Sequence, residues 1–140
     1  FKTQNALNMA KSFITKGLPQ EFDVTKADQA ELLNKSVQFF KEKNEFSIED
    51  FANEVIEQPE VIESFNSFCN DYQQEHDLRI EDSFSISDAA VKQKARSFKS
   101  VIKLDKNFHI YVHGNQEFLH RGYDEASGMH YYQLFFNEEA

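Results

Sequence analysis

Apolar residues recur at helical spacing through the first 98 residues of the chain. Residues 6–14 carry one apolar stripe, and Gly17 followed by Pro19 is expected to end that helix. Glycine tolerates a left-handed cap, and proline cannot continue a helix. A second helix is predicted to begin near Thr25, with Asp28 at its third position.

Capping residues mark three further helices. Ser47 is a good N-cap, and Phe46 with Phe51 forms the apolar pair of a hydrophobic staple around it. Pro59 suits the first turn of a fourth helix, because that position needs no backbone N–H. Ser87 caps a fifth helix. The chain therefore begins with about five helices, which we place in residues 1–98.

From residue 100 the apolar period changes to two, which is typical of strands. Four strands are predicted, at residues 100–104, 108–113, 117–121 and 130–136. Turn residues separate them at 105–107, 114–115 and 125–128. Helices followed by short strands predict an α+β fold with a small antiparallel β-meander of three to four strands over residues 99–136. We expect residues 1–140 to form a single domain.

Composition narrows the class of protein. A chain of 140 residues is long enough for one core. No apolar run approaches the 18 residues of a membrane span. A single cysteine excludes an internal disulfide framework and suits a reducing compartment. Because the chain opens at Phe1 without an initiator methionine, we expect a carboxy-terminal fragment of a longer protein.

The charge is unevenly distributed. The formal net charge is −9, which argues against a wholly nucleic-acid-binding surface. Residues 41–85 hold 13 acidic and 3 basic side chains. Residues 88–106 hold 6 basic and 2 acidic side chains. We call residues 88–106 the basic segment; its excess of cations is the first indication of an anionic partner.

Four cations of the basic segment form the candidate nucleic-acid contact. Lys92, Arg96 and Lys99 recur at i, i+4 and i+7 of a helix, and the row continues towards Lys103. Such a row can follow a phosphate backbone. The alternative is a solvated helix face whose long side chains cover apolar surface. No helix-turn-helix, zinc-finger or RNP pattern that reads bases accompanies the row.

Histidines form a second candidate cluster. If residues 114–115 form a two-residue turn, His109 and His120 face each other on one side of the sheet, opposite a core side of Phe108, Ile110 and Val112. This pair would bind a metal only with a third ligand, and no carboxylate or cysteine is placed to supply one. We therefore predict no metal and interpret the cluster as a polar sheet face, or as a contact with another domain.

No pattern indicates catalysis. The sequence has no glycine-rich phosphate loop, no H-E-x-x-H and no G-x-S-x-G motif. Cys69 lies on an apolar helical stripe and is expected to be an inert core thiol. The acidic side chains of residues 45–63 are expected to be solvated, or to form a face that contacts a basic partner. We predict no enzyme and no cofactor.

Five stretches of sequence occur together in a characteristic order. They are FSIEDFA (46–52), EQPE (57–60), FSIS (84–87), FKSVIKLDKNFHI (98–110) and GYDE followed by GMHYYQL (122–134). As an ordered set they resemble the carboxy-terminal part of the NdpA-like family of bacterial nucleoid-associated proteins. The resemblance covers most of residues 1–136 and is densest from 46 to 136.

The resemblance implies a cytoplasmic bacterial protein of the nucleoid, with an amino-terminal portion outside this sequence and no catalytic residues. Together with the charge pattern, it predicts a non-enzymatic protein that contacts DNA through Lys92, Arg96, Lys99 and Lys103. The alternative is a protein-interaction module that a partner recruits to the nucleoid. The expected partners are DNA, nucleoid proteins and the remainder of its own chain, with no membrane.

Overall fold

The computed structural model describes residues 1–98, 100–112 and 118–139. The α-helices are α1 (Lys2–Ser12), α2 (Leu18–Glu21), α3 (Lys26–Glu42), α4 (Ile48–Phe51), α5 (Pro59–Glu75) and α6 (Asp88–Ala95). The strands are β1 (Glu45–Ser47), β2 (Ser83–Ser85), β3 (Ser100–Leu104), β4 (Phe108–Val112), β5 (Leu119–Asp124) and β6 (Met129–Leu134). Within the described residues they form three two-stranded antiparallel sheets. The predicted α+β class is confirmed.

The first helical segment continues through Gly17 and Pro19, so the predicted stop is wrong. A π-helical turn, Phe13–Gly17, joins α1 to α2. Gly17 keeps a helical φ of −71°, and a Cβ built on it would lie 2.8 Å from the Phe68 ring. Gly17 therefore allows α5 to approach closely. Pro19 lies in the first turn of α2, where a missing N–H is tolerated.

Three helices begin at the predicted caps. The Asp28 N–H donates to the Thr25 hydroxyl at 3.1 Å, and the Asp28 carboxylate accepts the Thr25 N–H at 2.9 Å. This reciprocal pair is a complete capping box for α3. The Ser47 and Ser87 hydroxyls each accept a backbone N–H at 3.3 Å, at the starts of α4 and α6. Local capping chemistry therefore sets where these helices begin.

The pairing of β1 with β2 is a feature that the sequence pattern does not predict. Phe46 lies opposite Phe84 in this ladder, and the two rings stack with centroids 4.9 Å apart. The Phe46 ring also lies 6.1 Å from the Phe51 ring, so the predicted staple contact is present. Strands of three residues are too short to show an alternating pattern.

Phenylalanine rings fill the core between the helices. The fully buried ones are Phe13, Phe40, Phe51, Phe65 and Phe98. Phe51 stacks on Phe65 with centroids 5.6 Å apart, and Phe13 meets Phe65 edge-on at 5.2 Å. Strand β3 packs against α3 and brings Ile102 into complete burial. This packing anchors β3, the strand that belongs to the basic segment, to the helices.

The last four strands form two hairpins, β3–β4 and β5–β6, in the described residues. Strands β4 and β5 belong to different sheets among the described residues, with His109 opposite Lys103 and His120 opposite Gln133, so the predicted pairing of His109 with His120 is wrong. The turns at 105–107 and 125–128 are confirmed. The turn expected at 114–115 lies outside the described residues.

The predicted core side of β4 is only partly covered. Ile110 and Val112 are half-buried, whereas Phe108 is 64% exposed. Strand β3 is the strand that packs on α3, and β4 lies beyond it as the outer strand of the hairpin. The placement of Phe108 in the core is therefore wrong.

The described part of the chain contains no helix that is long and apolar enough to cross a membrane.

Candidate nucleic-acid interface

Helix α6 is held against the first helix by two hydrogen bonds. The Ser87 N–H at its N-cap donates to the buried Thr3 hydroxyl at 2.9 Å. The Gln4 amide donates to the Gln93 side chain at 2.9 Å. Ala90 and Val91 are buried on the inner side of α6. These contacts determine which side of α6 faces solvent.

Lys92 and Arg96 lie on the solvent side. Both residues are exposed, whereas Lys94 is half-buried. Helix α6 ends at Ala95, and Arg96–Phe98 continues as a 3₁₀ turn whose last residue, Phe98, is buried. The 3₁₀ turn advances about 120° per residue, compared with about 100° in an α-helix. Arg96 is the C-cap of α6 and keeps helical dihedrals, so Lys92 and Arg96 lie one turn apart as predicted, and the row changes direction in the turn after Arg96.

The other two predicted cations are outside α6. Lys99 lies outside the described residues. Lys103 is exposed in β3, directly opposite His109 of β4. Side chains alternate across a strand, so Lys103 points away from the buried Ile102 beside it. Tyr111 is on this same outer face and is 57% exposed.

The described cations of the basic segment have no acidic partner. Three ion pairs occur among the described residues, namely Lys2–Glu81, Lys35–Glu57 and Lys43–Glu54. Across residues 1–98, 100–112 and 118–139, no carboxylate lies within ion-pair distance of Lys92, Arg96 or Lys103. Their charges are consequently available to an anion from outside the chain.

The separation of His109 from His120 removes the geometric basis of a paired histidine site. His120 instead meets the Phe135 ring edge-on, with centroids 5.4 Å apart. Within the part of the chain that the structure describes, no group of three His, Cys, Asp or Glu side chains is placed to share a metal ion.

Cys69 is a buried thiol on the inner side of α5. Desolvation by burial raises the pKa of the Cys69 thiol to about 12. The thiol is therefore protonated at neutral pH, and a protonated, buried thiol is a poor nucleophile. This placement agrees with the sequence-based interpretation of Cys69 as a core residue.

An open groove lies between the α2–α3 connection, α3 and the start of α5, and we call it the α2–α3–α5 groove. Its volume is about 490 Å³. Half-buried apolar side chains line its floor, and these are Phe22, Val24, Leu32 and Val61. Charged side chains line its rim, and these are Asp23, Asp28, Glu31, Lys35 and Glu57. Sequence reasoning missed the groove; Leu32, an apolar residue of the helix predicted to begin near Thr25, was the available signal.

A tight turn shapes one rim of the groove. Glu57 has φ 69° and ψ −54°, and the Gln58 N–H donates to the Ile56 carbonyl at 2.8 Å. This is the rare γ-turn whose central residue has positive φ. The Glu57 carboxylate accepts a hydrogen bond from the Lys35 ammonium group across the groove. The turn thus fixes an acidic side chain next to the apolar floor.

Comparison with known proteins gives one family. Neither curated proteins nor solved structures provide a match to the chain. A family model described as "Nucleoid-associated protein YejK" matches residues 1–129. The match covers nearly all of the helices and strands described above, and it confirms the NdpA-like resemblance. The chain therefore belongs to this family of nucleoid-associated proteins.

Proposed function

We propose that the protein contacts DNA directly through the basic segment, at the nucleoid that gives the family its name. One observation carries the proposal: Lys92, Arg96 and Lys103 are exposed, and no described carboxylate pairs with them. Unpaired lysines such as Lys16 and Lys26 also occur elsewhere among the described residues, but the basic segment differs in density, with 6 basic and 2 acidic side chains. Uncompensated cations beside one another in the chain are what a phosphate backbone attracts.

The proposed contact is with phosphates. Helix α6 has 8 residues and is about 12 Å long, so its exposed side spans only a few phosphates of one strand. Lys92 and Arg96 extend from α6 and the following turn, and Lys103 extends from β3. Contacts to phosphates position a protein on DNA without reading its sequence. The proposed binding is therefore independent of sequence and strongly dependent on salt.

We further propose that this function is non-enzymatic and needs no cofactor. The single cysteine is buried and protonated, as its raised pKa of about 12 indicates. The proposed surface consists of cations that attract phosphate, without a neighbouring base or nucleophile that the chemistry of group transfer requires.

A salt series tests the direct contact. Binding of the full-length protein to a DNA duplex is measured by fluorescence anisotropy over a range of NaCl concentrations. The variant replaces Lys92, Arg96, Lys99 and Lys103 with Gln. Removing one cation that binds a phosphate lowers the slope of log K against log salt by about 0.9. We expect the variant to lose most of its affinity at low salt for every duplex sequence.

A matched control variant separates the effect of removing cations from the basic segment from the effect of lowering the net charge. Lys11, Lys16, Lys26 and Lys41 are outside the basic segment and outside the ion pairs of the described residues. Replacing these four with Gln changes the net charge by the same amount. We expect the control variant to keep the wild-type slope. Equal slopes for all three proteins would exclude direct contact by the basic segment.

The second candidate function is protein-mediated association with the nucleoid. The observation that favours it is the acidic character of residues 41–85, with 13 acidic and 3 basic side chains, which repels a polyanion. In the salt series, this function predicts that the basic-segment variant and the wild type bind the duplex equally. The two functions therefore give opposite results in one experiment.

A further inference from the structure

We propose that the α2–α3–α5 groove binds an amphipathic segment of a protein partner, with apolar side chains towards the floor and Lys or Arg along its flanks. This inference goes beyond the DNA contact and does not rest on it, because the groove and the basic segment share no residue.

The floor supplies the apolar half of the interaction. Phe22 and Val24 lie between α2 and α3, Leu32 lies on α3, and Val61 lies on α5. All four side chains pack against the main core and still remain half-buried. Their outer surfaces face the groove. The apolar surface that they leave exposed is small and lies beside a comparable area of polar surface, so covering it with apolar side chains of a partner favours binding modestly and the rim charges add to it.

The rim supplies the charge complementarity. Four carboxylates, those of Asp23, Asp28, Glu31 and Glu57, border the groove together with one ammonium group, that of Lys35. Lys35 already pairs with Glu57. Asp23 and Glu31 are exposed and make no ion pair with any described residue. The rim therefore attracts cations and repels the phosphates of nucleic acid.

The shape of the groove favours a peptide segment over an enclosed small molecule. The groove is partly open to solvent, whereas pockets for small ligands bury most of the ligand surface. An amphipathic helix, in contrast, lays one apolar face into a groove and leaves its other face in water. Lys and Arg beside that apolar face would meet Asp23 and Glu31.

The experiment uses a fluorescent model peptide with a helical apolar stripe flanked by lysines. Its partner peptide has the same stripe flanked by glutamates. Binding of each peptide to the full-length protein is measured by anisotropy at low and high salt. We expect the lysine peptide to bind and the glutamate peptide to bind much more weakly, because exposed charge pairs act with opposite signs in the two cases.

Two protein variants locate the charge effect. Asp23→Asn with Glu31→Gln removes two rim charges, and we expect about a fivefold loss of affinity at low salt and a weaker salt dependence. Asp71→Asn with Glu75→Gln removes the same two charge types from an exposed part of α5 outside the groove. We expect this control to bind like wild type. Equal losses in both variants would show binding to acidic surface in general and overturn the proposal.

A third variant tests the floor. Leu32→Ser removes apolar surface from the groove, and we expect weaker binding at every salt concentration with an unchanged salt dependence. A thermal melt checks that Leu32→Ser folds. If Leu32→Ser does not fold, the Asp23→Asn, Glu31→Gln variant provides the test, because substitution of these two exposed residues leaves the core intact. Unchanged binding by folded Leu32→Ser, equal binding of both peptides, or a dimer that the rim variant disrupts would each overturn the proposal.

Discussion

The helical region, residues 1–98, and the β5–β6 hairpin use aromatic side chains in opposite ways. In the helical region, rings such as Phe51 and Phe65 are buried and stack on each other. In and beside the hairpin, Tyr123, Phe135 and Phe136 are each more than half exposed. Aromatic content therefore does not by itself indicate a core; the topology decides which rings are shielded from water.

Local hydrogen bonds order the turn of the β5–β6 hairpin. The Asp124 carboxylate accepts hydrogen bonds from Ala126 and Ser127 in the turn, at 3.2 and 2.8 Å. Gly128 has φ 72°, and its N–H donates to the Asp124 carbonyl at 2.8 Å. These bonds set the register, but isolated hairpins are marginally stable in water. We therefore propose that residues 1–140 form one domain, in which the hairpins depend on the helical core.

The largest expected effect is on the core. Phe98→Ala should lower the free energy of unfolding by about 3–5 kcal/mol, because it leaves a cavity where the helices meet β3. Urea unfolding is followed by far-UV circular dichroism for the helices and by tyrosine fluorescence for the hairpins. Four of the five tyrosines lie in β4–β6, namely Tyr111, Tyr123, Tyr131 and Tyr132.

Phe136→Ala is the matched control for Phe98→Ala, because Phe136 is 70% exposed. It should change stability by less than about 0.5 kcal/mol. The two spectroscopic probes should give one midpoint in every variant. Two separate transitions would contradict the single-domain proposal.

Local chemistry was predictable from the sequence, and long-range packing was not. The caps Thr25, Ser47 and Ser87 were predictable because a cap depends on residues three positions apart. The role of Gly17 was not predictable. Glycine occurs both at the ends of helices and where two helices approach closely, and the Phe68 ring that Gly17 accommodates lies on another helix. The partners of His109 and His120 depend on strand pairing across the chain, which turn residues alone do not determine.

The next effect concerns the pH dependence of the core. Burial raises the pKa of the Cys69 thiol from 9.0 to about 12. Between these values the folded protein keeps the proton and the unfolded chain loses it, so stability falls as the pH rises above 9. At pH 10 the loss is about 1.4 kcal/mol relative to neutral pH.

Cys69→Ala isolates this contribution from the other groups that titrate in alkali. Urea midpoints of the wild type and the variant are compared between pH 7 and 10. The gap between the two curves should shift in favour of the variant above pH 9. A constant gap would contradict the assignment of Cys69 to a desolvated site.

The smallest effect is expected in the hairpin. Gly122 lies opposite Tyr131, and a Cβ on Gly122 would lie 2.2 Å from the Tyr131 ring. Gly122→Ala should therefore displace the ring, with a cost below about 1 kcal/mol, the range of one cross-strand pair. Backbone and ring chemical shifts of Tyr131 should change, and those around Phe51 should not. A loss of stability as large as that of Phe98→Ala would show that the hairpin is part of the core.

The cations of the candidate site were predictable from the sequence, but their surroundings were not. Counting cations along the chain identifies Lys92, Arg96 and Lys103 without any structure. Their lack of acidic partners is a property of folding, as is the position of Lys103 beside His109. The α2–α3–α5 groove was not predictable from the sequence, because its floor is assembled from three separate segments. Each segment contributes only one or two half-buried apolar residues.

The bond between Thr3 and Ser87 joins positions 84 residues apart, and it has a consequence for synthesis on the ribosome. At a translation rate of about 5–20 residues per second, α1 waits roughly 4 to 17 seconds for the segment that completes its packing. During this interval the apolar face of α1 around Leu7 has no α6 to cover it. The basic segment thus reaches its final position only as the helical region closes, so a nascent chain would acquire the proposed phosphate-binding surface in the same step that buries its first helix.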